Sequence, residues 1–189
     1  LWNGTTRLQG QGVAVAVVDS GITPHQDSDN ALLTQRILTH VNFSASQSTP
    51  DDGNGHGSHI AGIIAGNGAK SHGAYLGVAP RVNLVDVKVT DDLGSGTTAD
   101  VIAGLQWIYN NKNLYNIRVA NLSLNSTLAE SYHTSALNAA LEILWFNGIV
   151  VVVSAGNNGT TASGTIYPPA NDPFVITVGA ADDKGTIAI

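Results

Sequence analysis

Val13 to Val18 reads Val-Ala-Val-Ala-Val-Val, an unbroken apolar run dominated by β-branched residues and followed by a turn at Ser20-Gly21. Such a run is too short for a helix of its own and lacks the apolar–polar alternation of a half-exposed strand. It predicts a strand buried on both faces, as in a parallel sheet with helices above and below. The run ends on Asp19. A carboxylate directly after a fully apolar strand must be hydrogen-bonded or functional. In open parallel sheets chemistry collects at the carboxyl ends of the strands, where Asp19 stands.

The rest of the chain repeats the pattern. Strands are expected at Val82–Val89, Val119–Leu124, Ile149–Val153 and Val175–Val178, with a short apolar piece at Ile37–Phe43. Between them lie helical patterns. One begins at the loop before Ile60. A second is capped by Thr97 with Asp100 in the capping-box position. A third opens at Ser131 and closes at Gly148. Alternating strands and helices imply an α/β fold, with a mainly parallel sheet, helices on both faces and right-handed crossovers.

At 189 residues the chain fits one domain, and 43% hydrophobic against 12% charged residues allows a real core. Acidic residues number 14 against 8 basic, a net charge of −6, which argues against nucleic acid or an anionic membrane surface as partner. No apolar run approaches the roughly 18 residues a membrane span needs. Without cysteine there is neither a disulfide framework nor thiol chemistry.

The chemistry-bearing stretch is Asp51-Asp52-Gly53-Asn54-Gly55-His56-Gly57-Ser58-His59. Three glycines leave little side chain around His56, so a reacting group can approach its ring. A histidine at a helix mouth is suited to proton transfer near neutral pH. Asn157 follows the strand at Ile149–Val153. Asp19, His56 and Asn157 are therefore expected in one cleft: a carboxylate that orients an imidazole, with an amide donor for a developing oxyanion. A nucleotide-binding alternative is disfavoured, because the glycine-rich loop carries Asp51 and Asp52 and lacks the lysine of a phosphate cradle. His56 and His59 as a zinc pair is a minor alternative.

Four blocks then resemble the subtilisin-like serine proteases (the subtilase family): Val15–Ile22, Asp52–His59, Leu76–Pro80 and Val152–Asn157, in the family's order over nearly the whole chain. The resemblance implies an Asp-His-Ser serine endopeptidase, secreted, acting on protein or peptide substrates. It implies that Gly94-Ser95-Gly96 pairs with the substrate backbone. Ser123-Leu124-Asn125 and Ser154-Ala155-Gly156 would wall the pocket for the residue before the cleaved bond. Asn125 departs from the glycine usual there. Asp27 resembles a calcium ligand of the family, though the loop Asn67–Tyr75 does not match the family's calcium loop clearly. The nucleophile block is not found after Asn157, and Gly159–Ser163 does not fit it. Residues 1–189 are thus expected to be the N-terminal portion of a single catalytic domain, inactive alone, with a second chain as one source of the missing segment. The alternative is an inactive pseudo-protease or binding module on the same scaffold. Helices beyond Ile189 are expected to cover the sheet beside Val13–Val18 and Ile149–Val153. Sequons at Asn3, Asn42, Asn121, Asn125 and Asn158 carry no glycosylation claim in a chain this rich in Asn, Ser and Thr.

Overall fold

The computed structural model describes residues 8–28, 35–46, 49–157 and 167–181. Six strands form one sheet: β1 (Ala14–Asp19), β2 (Ile37–Asn42), β3 (Asn83–Lys88), β4 (Ile117–Leu122), β5 (Val150–Ser154) and β6 (Ile176–Val178). Every pairing is parallel, in the order β2-β3-β1-β4-β5-β6. The chain runs from β1 out to β2, returns through β3, then crosses β1 to build the other half. Asp19 ends the strand about which this reversal turns, the place where open α/β sheets form ligand crevices.

All six residues of β1 are buried, as its composition requires. Alternate side chains feed two cores. On one face Ala14, Ala16 and Val18 join Val85, Val87 and Leu122 beneath helices α2 (Thr98–Asn111) and α3 (Ala136–Phe146). On the other, Val15, Val17 and Leu84 pack under Ala61 and Ala65 of helix α1 (His56–Ala65). Each such Val or Leu, fully buried, contributes roughly 1.5–3 kcal/mol.

The Thr97–Asp100 capping box forms as expected, with both reciprocal bonds at 3.1 Å. Helix α3 starts later than expected. Ser131 instead closes a turn in which its carbonyl accepts the Thr134 and Ser135 N–H groups, and Ser135 is the cap. The short apolar piece at Ile37 is an edge strand. Bare sheet at Val13–Val18 is not found, because α1 covers one face and α2 the other. On β5 and β6 the α1-side face is open: Val150, Ile176 and Val178 are 40%, 48% and 54% exposed.

Candidate functional site

The mouth of α1 is built from backbone up. Gly55 holds the N-cap position at φ 88°, a conformation that favours glycine, and offers no capping side chain. Asp52 supplies the cap from a distance. One of its oxygens accepts the Gly55 N–H at 2.8 Å and the Ser20 hydroxyl at 2.7 Å, and the other accepts the Ser58 N–H at 2.8 Å. Ser20 Oγ in turn accepts the Gly57 N–H at 2.9 Å. The Gly55, Gly57 and Ser58 N–H groups of the first turn are thus satisfied, with negative charge at the positive end of the helix dipole. Burial pushes the Asp52 carboxyl up, but hydrogen bonds from Ser58, Ser20 and Gly55 outweigh it and hold the group below the usual carboxylate range. A Cβ on Gly57 would lie 2.1 Å from the Gly21 carbonyl oxygen, so main chain meets main chain between the β1 turn and α1.

That contact sets Asp19 beside His56. Asp19 Oδ1 lies 2.8 Å from His56 Nδ1 and also accepts the Ser20 N–H at 2.7 Å. Asp19 is 5% exposed and His56 47%. An ionised carboxylate only accepts, so Nδ1 carries a proton, and in the neutral ring the lone pair is left on Nε2. Among the described residues this is the only side-chain hydrogen bond of His56. The arrangement is a base held by one nitrogen and left open at the other.

Two charged side chains in β3 belong to the same edge and were not singled out in the sequence. Lys88 is fully buried and donates to the carbonyls of Ser20, at 2.5 Å, and Asp51, at 2.9 Å, and to Asp92 at 3.2 Å. Asp86 is also fully buried and accepts the Ile22 N–H at 3.0 Å and His40 Nδ1 at 2.9 Å through Oδ2. Their only local signal is that Asp86 and Lys88 stand two apart among Leu84, Val85 and Val87, hence on one face.

Of the other expected site residues, Asn157 lies just past β5, exposed, without a side-chain hydrogen bond among the described residues. It shares the carboxyl edge with Asp19 but stands two strands away, about 10 Å. Gly94 and Ser95 sit in a tight turn whose N–H groups are bound by the Asp91 carbonyl and carboxylate. Gly96 presses on the Val89 carbonyl. Between Gly94–Gly96 and Leu124–Asn125 lies a cleft of 280 Å³. Ser123 Oγ accepts from Asn121, the Ser154 hydroxyl donates to the Leu124 carbonyl, and the Ala155 N–H donates to Val178. Asn125 lies against Gly156, its Cγ 3.3 Å from where a Cβ would stand. Gly159–Ser163 lies outside the described residues.

Asp27 Oδ1 accepts the Lys70 N–H at 2.8 Å, tying down the loop that follows α1. Among the described residues no set of three or more His, Cys, Asp or Glu could hold a metal. Calcium takes six to eight oxygens, backbone and amide carbonyls among them, and Asp27 would supply one carboxylate of such a set.

The parallel sheet with an Asp–His pair at the central strand end is subtilisin-like. By structure, the chain superposes on a cold-adapted subtilisin-like serine proteinase with a TM-score of 0.74 at 30% identity, over 93% of this chain and 57% of that one. Sphericase gives 0.75 at 27% identity, over 97% and 59%. By sequence, the subtilase family model matches residues 10–189. The serine protease AprX of Bacillus subtilis (strain 168) is 45% identical over 97% of this chain and 41% of its own length. Subtilisin Savinase of Lederbergia lenta is 37% identical over 96% of this chain and 60% of its own. The chain belongs to the subtilase family. It spans less than two thirds of each of these relatives.

Proposed function

We propose that the protein is a serine endopeptidase that hydrolyses peptide bonds with Asp19, His56, an oxyanion donor at Asn157 and a serine that is not among residues 1–189. The observation that carries this is the 2.8 Å bond from a half-exposed His56 to a buried Asp19. His56 Nε2 takes the serine proton as the hydroxyl oxygen attacks the substrate carbonyl carbon. Asp19 stays ionised, fixes the tautomer and stabilises the imidazolium. Asn157 donates to the oxyanion. The C–N bond then breaks, His56 returns the proton to the leaving amine, and water releases the acyl group by the same steps.

Substrate backbone would lie along Gly94–Gly96. The residue before the cleaved bond would enter between Ser123–Asn125 and Ser154–Gly156, where Asn125 narrows the gap. Residues 1–189 would form the N-terminal portion of one catalytic domain of a secreted enzyme. The nucleophile would come from further sequence or from a second chain. Calcium at Asp27 would need oxygens beyond this carboxylate. A thermal midpoint indifferent to calcium and to chelator would remove it.

A fluorophosphonate probe tests the reading on the protein expressed from its complete gene and on residues 1–189 alone. The expected result is a labelled serine outside 1–189 together with peptide cleavage, both lost in His56→Ala, and no labelling of the 189-residue chain. A labelled serine within 1–189 would overturn the nucleophile assignment. A complete protein inert to both probe and peptide would favour a binding module on this scaffold.

A further inference from the structure

The turn Asp19–Ile22 carries the carboxylate and presses against α1, so whatever holds the turn holds the base. Three side chains reach it from the α1 side of the sheet. Lys88 binds the Ser20 carbonyl, Asp52 the Ser20 hydroxyl, and Asp86 the Ile22 N–H. The first two are themselves tied to fixed main chain. Asp86 is fully buried, its Oδ1 has no partner among the described residues, and its Oδ2 is shared by Ile22 and His40. His40 faces Asp86 directly across the β2–β3 pairing and is 26% exposed. A buried carboxylate with one bare oxygen depends on its remaining donors.

We propose that His40 is a positioning residue for the reaction: by its hydrogen bond to Asp86 it keeps that carboxylate on the Ile22 N–H, and so keeps Asp19 in register with His56. The inference rests on the protease reading only for its catalytic consequence; the anchor can be read without turnover. The hydrogen bond to Asp86 raises the His40 pKa, against burial and with help from the charges of Asp86 and Asp51. Burial raises that of Asp86, against its bonds to His40 and Ile22, with Asp52 adding to the rise. The pair therefore holds a proton more firmly than either group would alone. Lys88, two residues along β3, and the carboxylates of Asp19, Asp51 and Asp52 are the other charged groups at this edge. As pH rises through the His40 value, the donor loses its charge, an ion pair becomes a neutral donor on a carboxylate, and the anchor weakens.

The test uses the protein expressed from its complete gene, with wild type, His40→Phe and His40→Asn compared. Asn places an amide donor where Nδ1 stands and does not titrate. Amide exchange at Ile22, corrected for the intrinsic pH effect, and kcat on a chromogenic peptide are both followed from pH 5 to 9. His40→Phe is expected to speed Ile22 exchange and lower kcat by about tenfold each, the loss of one charge-assisted bond, with KM little changed. His40→Asn should recover most of both. Wild type should loosen as pH rises through the His40 transition, and His40→Asn should show no such step. Equal exchange and kcat in wild type and His40→Phe would overturn the proposal. So would a His40→Asn variant as impaired as His40→Phe. If His40→Phe does not fold, the same pH step in wild type and His40→Asn overturns it. A wild type that cleaves nothing yet shows the exchange step would sink the protease reading and leave the anchor supported.

Discussion

The two halves of the sheet contribute to the site in opposite ways. Around β1 and β3 the carboxyl edge is crowded with buried polar groups. Asp19, Ser20, Asp52, Asp86 and Lys88 bind one another or the intervening main chain, and both faces of β1 are covered. Around β5 and β6 the same edge carries Asn157 and Ser154–Gly156, held mainly by main-chain bonds such as Ala155 to Val178, above an open apolar face. On the proposed reading, the half that would transfer protons is fixed before any substrate arrives, and the half that would hold the oxyanion is exposed. Preorganised groups are worth more to a reaction than ones that must be ordered during it. Changes on the β1 side should therefore break geometry, and changes on the β5 side should remove single contacts.

The sharpest test of that contrast is Asp19→Asn in the complete protein. It removes the acceptor that fixes the tautomer and should lower kcat by about 10⁴-fold with little effect on the thermal midpoint. Asn157→Ala should cost about 100- to 1000-fold in kcat, the magnitude established for the corresponding donor of subtilisin itself. Equal losses at the two positions, measured side by side on one peptide, would erase the distinction between the halves. Next comes Gly57→Ala. With only 2.1 Å to a backbone oxygen, the turn or the helix must move, and urea unfolding should show a loss of about 2–4 kcal/mol. A methyl tolerated at no cost would mean that the contact is not tight. The smallest effect belongs to Asp52→Ala, which should cost about 1–2 kcal/mol as a lost cap. The folded pKa of Asp52 lies below its usual value, so its contribution is present above the unfolded value near 3.8 and is lost as pH falls through the folded one. Unfolding curves of wild type and variant should converge in that acid window.

Much of the β1 half was readable in the sequence, for reasons particular to each residue. Val13–Val18 announces itself because a strand buried on both faces has no polar position to interrupt it. Asp19 and His56 were visible by contrast, one charge after six apolar residues and one ring among glycines. The Thr97–Asp100 box was legible because both its bonds are local. Ser131 misled because four residues on stands a second serine with the same capping chemistry, and only packing chooses Ser135. Asp86, Lys88 and His40 escaped notice because their partners lie far along the chain: Ile22 and Asp86 are 64 residues apart, and Ser20 and Lys88 are 68. Nothing local distinguishes a buried lysine reaching a distant carbonyl from one on a solvated strand. Asn157 was legible as a residue type, while its relation to His56 depends on a strand order that periodicity does not encode.

The close approach of Gly21 to Gly57 has a consequence for anyone rebuilding this protein. The spacing between acid and base is gauged where two stretches of peptide touch, with Ser20 and Asp52 pinning them together. Surface redesign of the outer face of α1 can proceed freely, because the gauge is indifferent to what that face carries. Transplanting Asp19 and His56 to another scaffold as side chains alone would leave the gauge behind. The portable unit is the pair of glycine segments with Ser20 and Asp52 between them, and a graft that omits them should place a carboxylate near a histidine without making it a partner.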